Sequence, residues 1–204
     1  MKNNIKFFIK EIIDVILSFF ILILFLPIML IICLLIKFDS PGPIFFRQNR
    51  IGKSQKKFKI IKFRTMTHST VNTNESVMHL NEASGPVFKI TNDPRLTKIG
   101  KILRKYSLDE LPQLFNVFLR HMNLIGPRPL PDYEVIKMEK DFSLKRHQIR
   151  PGITGLWQIS ERQKISSFKN WIRLDLKYID DWSFLLDFKI IFKTIFIIFS
   201  GKGH

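Results

Sequence analysis

An apolar run near the N-terminus constrains the fold of this 204-residue chain more than any other feature. From Val15 to Ile36 every residue is apolar except Ser18 and Pro27. As a helix, the run would extend roughly 33 Å, enough to cross a hydrocarbon core of about 30 Å. It is too long for a secretory signal, and no small-residue cleavage site follows it. We therefore expect a membrane segment over residues 1–39 and one further domain over residues 40–204.

The way in which this segment meets the bilayer stays open from its residues alone. Pro27 lies near the middle of the run, where it removes a backbone donor and kinks the helix. Basic residues flank both ends, so the positive-inside rule gives no clear sidedness. A kinked helix that enters and leaves by the same leaflet satisfies both flanks, and a proline-kinked spanning helix is also compatible. The flanking residues are Lys2, Lys6 and Lys10 before the run, and Lys37, Arg47, Arg50 and Lys53 after it.

The charge balance predicts an anionic partner. The chain has 33 basic and 17 acidic residues, a formal net charge of +16. Such an excess suits nucleic acid, anionic lipid headgroups or a phosphorylated substrate. The single cysteine, Cys33, lies in the apolar run and has no partner for an internal disulfide. This favours exposure of the second domain to a reducing cytosol.

Beyond the membrane segment, the pattern predicts a mostly helical α+β domain. The turn cluster at 40–43 ends the segment, and two short runs at 44–46 and 58–63 predict a small antiparallel pair. Residues 68–83 are polar and weakly patterned, typical of a helix or a loop. Further helices are predicted over 96–106, from 107 or 109 to 120, and over 134–146, 168–182 and 184–199, with an extended loop at 126–131 and a turn-rich connection at 150–155.

The last helix has two interpretations. Lys189 and Lys193 are four residues apart and share one helix face, and Trp182 precedes the helix as a headgroup anchor. An amphipathic helix lying on the bilayer surface is therefore preferred to a second span. A core helix of the domain is the alternative, because the charges occupy only one stripe.

The acidic pair Asp109-Glu110 is the first candidate for chemistry, and it also has a structural interpretation. Ser107-Leu108-Asp109-Glu110 matches a capping box, in which the acidic residues merely complement the macrodipole of a helix. Alternatively, Asp109 at the positive end of that helix stays ionised where a phosphate oxygen would also bind. A carboxylate that attacks the phosphorus of a diphosphate substrate would be repelled by the phosphate charges. A magnesium ion held by Glu110 would screen that repulsion.

Arg128 is the second candidate, since it lies between Pro127 and Pro129 in a loop with little freedom. A planar guanidinium on a stiff backbone suits bidentate binding of phosphate. The alternative is a surface turn with a solvated arginine. The segment Lys62-Phe63-Arg64 is less informative, because alternating charged and apolar residues are typical of any half-buried strand.

Taken together, these motifs resemble the monotopic phosphoglycosyl transferases, a family of bacterial sugar transferases. The resemblance covers nearly the whole chain in order. It lies in the proline-broken helix and in Ser40-Pro41-Gly42-Pro43-Ile44-Phe45-Phe46-Arg47-Gln48, Lys62-Phe63-Arg64-Thr65-Met66, Asp93-Pro94-Arg95, Leu108-Asp109-Glu110-Leu111-Pro112-Gln113, Asn116-Val117, Gly126-Pro127-Arg128-Pro129, Arg150-Pro151-Gly152-Ile153-Thr154-Gly155, Trp182-Ser183 and Lys193-Thr194.

The resemblance implies a fold and a reaction. The fold would be α+β and mostly helical, with a re-entrant N-terminal membrane helix hairpin, a small antiparallel sheet and interfacial amphipathic helices. The reaction would transfer a sugar 1-phosphate from a UDP-sugar to polyprenol phosphate, giving polyprenol-diphosphate sugar and UMP. The enzyme would act with Mg²⁺ at the cytoplasmic face of the bacterial inner membrane. Its partners would be both substrates and membrane lipids, without nucleic acid and with a homodimer left open.

The resemblance also assigns roles to residues of this chain. Asp109 would be the nucleophile that forms a phosphosugar-aspartate, and Glu110, together with Asp109, would hold the magnesium ion. The substrate-binding residues would be Lys62, Arg64, Arg104, Pro127, Arg128 and Arg150.

Two departures from the family pattern refine this expectation. Leu26-Pro27 stands where some small members have Ser-Pro, so any side-chain support for the helix break must come from elsewhere. The stretch from Gly85 to Arg95, which the smallest members lack, is similar to hexose-1-phosphate transferases and points to glucose or galactose. Because the larger members have additional N-terminal spans, we expect a version limited to the catalytic core.

Three competing hypotheses remain. A membrane-anchored basic binding module would lack turnover, but its carboxylates would weaken nucleic-acid binding. A nucleotide-sugar hydrolase would share Asp109 and accept water instead of lipid phosphate. An inactive homologue is disfavoured by the intact pair Asp109-Glu110.

Overall fold

The computed structural model describes residues 2–67, 75–82, 86, 88, 90, 92–160 and 167–201. Helices predominate in this part of the chain, with two small sheets between them. The helices are α1 (Lys2–Asp39), α2 (Lys98–Lys105), α3 (Gln113–Phe118), α4 (Asp132–Val135), α5 (Lys140–Arg146), α6 (Leu156–Ile159), α7 (Phe168–Asp180) and α8 (Phe184–Phe199). The strands are β1 (Phe45–Ile51), β2 (Lys57–Phe63), β3 (Asn123–Ile125) and β4 (Gly152–Thr154).

Helix α1 continues through Pro27 without a break in its helical backbone. Its segment Ile5–Asp39 is long and apolar enough to cross a membrane. Large apolar side chains are exposed along it, as expected of a membrane-associated helix. It forms one helix rather than two helices joined by a turn, so the predicted hairpin does not appear as a separate element.

One stripe of α1 is nevertheless buried by the rest of the chain. The buried positions recur every three, four or seven residues, which places them on one helix face. That face packs against α2, α3 and β3. The domain therefore contacts α1 along most of its length instead of only at one end. The stripe consists of Lys10, Asp14, Ser18, Leu22, Met29, Ile32 and Ile36.

The predicted antiparallel pair is confirmed as β1 and β2, which pair from Phe45↔Phe63 to Ile51↔Lys57. Alternation along β2 turns Phe63 into the core against α1, α2 and α3. The same alternation leaves Lys62 on the other face of the strand. This sheet therefore supplies part of the core and one charged side chain of the site described below.

A second sheet, which the sequence did not predict, pairs β3 with β4 in parallel. Asn123 lies opposite Gly152 and Ile125 opposite Thr154. A Cβ on Gly152 would overlap the backbone nitrogen of Gly126 and approach the Thr154 carbonyl oxygen to 2.6 Å. Glycine is therefore required where the two strands meet.

The prediction of a capping box at Ser107 is wrong. Ser107 has a left-handed φ of 53° and makes no side-chain cap, and Leu108–Glu110 form a 3-10 turn. Helix α3 begins only at Gln113, with Pro112 at its N-cap, because proline has no N–H for the helix interior. Asp109 therefore precedes the helix by a full turn instead of lying in its first turn.

Three other predictions have mixed outcomes. The helix over 134–146 is two helices, α4 and α5, because Glu139 between them is extended with ψ 138°. Residues 75–80 form a 3-10 helix, while 68–74 and 83 lie outside the described residues. So do Gly85, Val87 and Lys89 of the stretch compared with the hexose-1-phosphate transferases.

One face of helix α8 packs on the domain, as the core-helix alternative predicted, and its placement on a bilayer surface stays a prediction. Asp187 and Ile190 are buried against the domain. Leu185, Phe188 and Phe196 project outward, each more than half exposed. Trp182 stacks on Phe7 of α1 with ring centroids 4.1 Å apart. The helix thus contributes one face to the core and an apolar face to the same side of the molecule as α1.

Candidate active site

The acidic pair is buried at a sharp turn. Ser107, in its left-handed conformation, redirects the chain so that the following 3-10 turn faces inward. Asp109 is 4% and Glu110 is 6% exposed. Burial of two adjacent carboxylates is costly unless cations lie close to them.

Strand β2 supplies one cation close to both carboxylates. The Lys62 Nζ lies 2.7 Å from Glu110 Oε1 and 4.0 Å from Asp109 Oδ2. The lysine therefore donates a short hydrogen bond to one carboxylate and contributes positive charge to the other. The structure thus brings together the three residues that the resemblance assigned to the nucleophile, the metal site and the phosphate site.

Helix α2 places Arg104 beside the acidic turn Leu108–Glu110. Its Nε donates to Thr65 Oγ1 at 3.2 Å. Burial lowers the pKa of Arg104, while the charges of Asp109 and Asp93 act in the opposite direction. The guanidinium therefore lies within electrostatic range of the candidate nucleophile.

The Arg128 loop is held in place from several directions. Gly152 N donates to Pro127 O at 2.9 Å, and Arg146 donates to the Arg128 carbonyl. The Arg128 guanidinium lies over the Trp157 ring, 5.3 Å from its centroid. Cation–π contact and a fixed backbone leave this side chain little freedom, as the flanking prolines predicted.

A small cleft joins these elements. Three cations and only one carboxylate line it, so it is electropositive. A phosphorylated anion is the ligand class that such a lining suits. The lining residues are Arg50, Ile60, Lys62, Glu110, Gln113, Arg128, Pro129 and Ile153.

Two of the predicted substrate-binding arginines contact α1 instead. Arg64 donates to the carbonyls of Ile36, Ser40 (2.7 Å) and Pro41, so it caps the C-terminal end of that helix. Arg150 Nη1 lies 3.0 Å from Glu11 Oε2. The cleft does not include either side chain.

Sequence reasoning missed Arg50 as a lining residue of the cleft, since it had counted only as a charge flanking the membrane segment. Strand β1 carries it there from a register position opposite Phe58. One signal could have found it: Arg50 lies two residues after Gln48, so the two side chains would share a face of a strand.

The donor set suits magnesium only together with substrate phosphates. No group of three or more His, Cys, Asp or Glu side chains forms a ready metal site in the described part of the chain. By themselves, Asp109 and Glu110 provide only two carboxylates. Mg²⁺ is commonly bound by one or two carboxylates plus phosphate oxygens and water, so the pair fits that ion in the presence of a diphosphate.

A long apolar helix beside a buried acidic pair is the feature of this fold that comparison with known proteins places in a family. The profile of the family described as bacterial sugar transferase matches residues 5–201. The chain therefore belongs to the bacterial sugar transferase family.

Several curated proteins are similar to this chain. It is 41% identical over 162 residues to the galactosyl transferase CpsE of Streptococcus agalactiae, covering 79% of this chain and 36% of CpsE. It is 38% identical to the exopolysaccharide production protein ExoY of Rhizobium meliloti, covering 95% and 87%. It is 42% identical to the UDP-glucose:undecaprenyl-phosphate glucose-1-phosphate transferase of Klebsiella pneumoniae, covering 98% and 42%. The chain thus spans less than half of two of these relatives.

Proposed function

We propose that this chain transfers a sugar 1-phosphate from a UDP-sugar to polyprenol phosphate, giving polyprenol-diphosphate sugar and UMP. The observation that carries the proposal is the buried pair Asp109-Glu110 beside a cationic cleft. The name of the Klebsiella relative describes such a transfer to undecaprenyl phosphate. Lys62, Arg104 and Arg128 provide the charges that a diphosphate donor would need.

The first step of the proposed mechanism uses Asp109 as the nucleophile. A carboxylate oxygen of Asp109 attacks the β-phosphorus of the UDP-sugar. The bond from that phosphorus to the bridging oxygen breaks, and UMP leaves with the bonding electron pair. The sugar phosphate is then attached to Asp109 as an acyl phosphate. Lys62 and Arg104 would reduce the repulsion between the incoming carboxylate and the phosphate oxygens.

The second step transfers the sugar phosphate to the lipid. A phosphate oxygen of polyprenol phosphate attacks the same phosphorus, and the Asp109–phosphorus bond breaks to return the free carboxylate. Two displacements let a water-soluble donor and a lipid acceptor react in turn at one nucleophile. A buried carboxylate also limits the access of water, which would otherwise hydrolyse the intermediate.

Magnesium would be held by Glu110 and Asp109 together with the donor phosphates. When bound, the ion supplies charge neutralisation and orientation of the diphosphate. Lys62 Nζ is 2.7 Å from Glu110 Oε1, and we propose that it moves towards the donor phosphates when the ion binds.

We further propose that α1 is re-entrant at the cytoplasmic face of the bacterial inner membrane, with α8 as an interfacial helix. The supporting observation is the buried stripe from Lys10 to Ile36. A helix that spans the bilayer would carry this domain contact through the hydrocarbon core, where polar elements are unfavourable. An α1 that stays near one leaflet keeps the domain in water and places the site at headgroup level, within reach of a lipid phosphate.

The donor is proposed to be a hexose nucleotide, with glucose or galactose as the transferred sugar. The relatives' names mention both, in CpsE and in the Klebsiella enzyme. The product would serve the first membrane step of exopolysaccharide, capsule, O-antigen or glycoprotein glycan synthesis.

The test is UMP release by purified protein in detergent with magnesium, undecaprenyl phosphate and a panel of UDP-sugars. We expect release that requires the lipid and one particular sugar. Asp109→Asn should reduce the turnover rate by at least about 10³-fold, because the nucleophile is lost. The variant should stay folded and membrane-bound. Wild-type protein with donor alone should yield a phosphosugar adduct that Asp109→Asn cannot form.

Asp181→Asn is the matched control, since Asp181 is an exposed partner of Lys177 far along the chain from the site. It should match the wild type. Steady turnover by Asp109→Asn would contradict the covalent assignment. Release of UMP without lipid, beyond one equivalent, would instead identify a nucleotide-sugar hydrolase.

A further inference from the structure

Strand β1 fixes a second arginine in the cleft beside Arg128. Arg50 Nη1 donates to the Pro129 carbonyl at 3.1 Å. Its Nη2 donates to Gln48 Oε1 at 2.6 Å. One contact joins Arg50 to the Arg128 loop and the other to its own strand, so the guanidinium is oriented before any ligand arrives.

Arg50 and Arg128 are close enough to repel each other. Burial, followed by this repulsion, lowers the pKa of Arg50 to about 10, so Arg50 stays protonated at neutral pH. The charges of Glu134 and Glu110 act in the opposite direction, and burial raises the pKa of the Glu134 carboxyl. A further anion between the two arginines would reduce their repulsion and be stabilised there.

The guanidinium also retains bonding capacity. Arg50 Nε is buried and has no hydrogen-bond partner within the described residues. A buried donor without a partner destabilises the protein, and an acceptor on a ligand would remove that cost. Arg50 shares the cleft with Lys62 and Glu110, so an acceptor there lies beside the acidic pair.

We propose that Arg50 binds a phosphate group of the substrate directly, together with Arg128, through its Nε edge. This deepens the proposed function and rests on it. The ligand chemistry is a phosphate oxyanion, which two molecules could bring to this position. One is the UDP-sugar, through its diphosphate, and the other is polyprenol phosphate.

The experiment compares Arg50→Gln and Arg50→Lys with the wild type. Affinities for UDP and UMP are measured by calorimetry, and KM values for the UDP-sugar and for undecaprenyl phosphate by UMP release. Loss of a charge-assisted hydrogen bond should weaken the affected ligand by about tenfold or more in Arg50→Gln. Arg50→Lys keeps the charge without the Nε edge and should show a smaller loss.

Arg47→Gln is the matched control, because Arg47 lies on the same strand with an exposed side chain outside the cleft. It should bind and react like the wild type. Thermal unfolding of each variant shows whether it is folded. If Arg50→Gln fails to fold, the comparison rests on Arg50→Lys.

The outcomes distinguish the two ligand sources. Weaker UDP with unchanged UMP would assign Arg50 to the β-phosphate, and equal losses would assign it to the α-phosphate. A raised KM for undecaprenyl phosphate alone would assign it to the acceptor. If folded Arg50 variants bind UDP and UMP like Arg47→Gln and show both KM values unchanged, the proposal is overturned. The affinity for UDP can be measured even if the wild type lacks transferase turnover. A failure of the proposed function is therefore distinguished from a failure of the Arg50 proposal.

Discussion

Arg146 determines the position of a loop that it does not belong to. Its side chain is 1% exposed and donates to Asp175 Oδ2 from Nε at 2.9 Å and from Nη2 at 2.6 Å. The same guanidinium donates to the Arg128 carbonyl. The orientation of Arg128 therefore depends on a buried ion pair between α5 and α7. Removal of either partner leaves the other charge buried and unpaired, which typically costs about 3–5 kcal/mol.

His147, next to Arg146, makes stability depend on pH. Its Nδ1 donates to the Ser143 carbonyl at 2.6 Å, and burial and Arg146 lower its pKa from 6.5 to about 4. The unfolded chain gains a proton below its ordinary pKa, whereas the folded chain stays neutral until pH is near 4. The unfolding free energy should therefore fall as pH decreases through this window, by at most about 3 kcal/mol, and its His147 contribution should be constant above it. Unfolding midpoints in detergent at pH 4 to 8 test this.

His147→Asn isolates the effect, because the asparagine amide can still donate to the Ser143 carbonyl. This variant should flatten the pH dependence in the acid window. His121→Asn, at an exposed position, should leave it as in the wild type. An identical slope in His147→Asn would assign the pH dependence to other groups.

At the scale of elements, the end of α1 depends on one side chain of the second domain. Arg64 is buried and donates to the Ile36 carbonyl in the last turn of α1 and to the Ser40 and Pro41 carbonyls just beyond it. Arg64→Met should lower the unfolding free energy by about 2–3 kcal/mol, because these carbonyls lose a charged donor. UDP affinity of the folded protein should stay as in the wild type. Denaturant unfolding and calorimetry measure the two quantities, with exposed Arg47→Met as the control.

The opposite result for Arg64 would be equally informative. Unchanged stability with a large loss of UDP affinity would return Arg64 to the substrate site that the resemblance assigned. That outcome would require its guanidinium to leave the carbonyls of α1.

The parallel pair β3–β4 should tolerate no side chain at its crossing point. In Gly152→Ala the new Cβ meets backbone atoms of Gly126 and Thr154, which cannot move without separating the strands. We expect a loss of about 3 kcal/mol or more and little UMP release, because the Arg128 loop follows β3. Thermal unfolding provides the measurement. In Gly52→Ala the nearest atom belongs to the Phe58 ring, 3.1 Å away, so this control should cost much less. Similar losses in both variants would contradict the argument.

The elements that the sequence predicted well are those with a local signal. Alternation identified β2, and a helical period identified α2. The short apolar run at 44–46 predicted only the beginning of β1, which extends to Ile51. Strands β3 and β4 have only three residues each and are separated in the sequence by α4 and α5, so no local pattern indicated their pairing. Ser107 was misassigned because its left-handed φ follows from the turn that buries Asp109, and not from a capping preference.

The residues of the candidate site also divide into those with a local sequence signal and those without one. Asp109, Glu110 and Arg128 were candidates from their residue types and local sequence, whereas Lys62 became a candidate only through the family resemblance. The contacts of Arg64 and Arg150 with α1 could not be predicted, since they depend on where the helix packs.

At the scale of the whole molecule, a polar cluster joins α1 to the C-terminal helices. Lys10 Nζ lies 2.6 Å from Asp14 Oδ2 and 3.1 Å from Asp187 Oδ2. Tyr178 and Trp182 both donate to Asp187. Lys10 had counted only as a flanking charge in the sequence, yet it is 1% exposed. The first turns of α1 are therefore attached to α8 through this cluster.

This attachment leads to a prediction about topology. In a Cys33→Ala background, single cysteines at Lys6 and Arg47 should both react with an impermeant maleimide only from the cytoplasmic side. Both positions are exposed, so reactivity reports sidedness and not burial. The measurement compares intact cells with inverted membrane vesicles. Labelling of the cysteine at position 6 only from outside would mean that α1 spans the bilayer.

The buried stripe of α1 also bears on how the protein is made. Leu22, Met29 and Ile32 form one core with Leu103 and Leu114. The helix leaves the ribosome long before those partners have been synthesised, so we expect it to insert into the bilayer first. Insertion then precedes the closing of the core, and lipid acts as a temporary partner for the nascent chain. A version shortened to residues 40–204 would lack one wall of that core, and we expect it to aggregate instead of yielding a soluble enzyme.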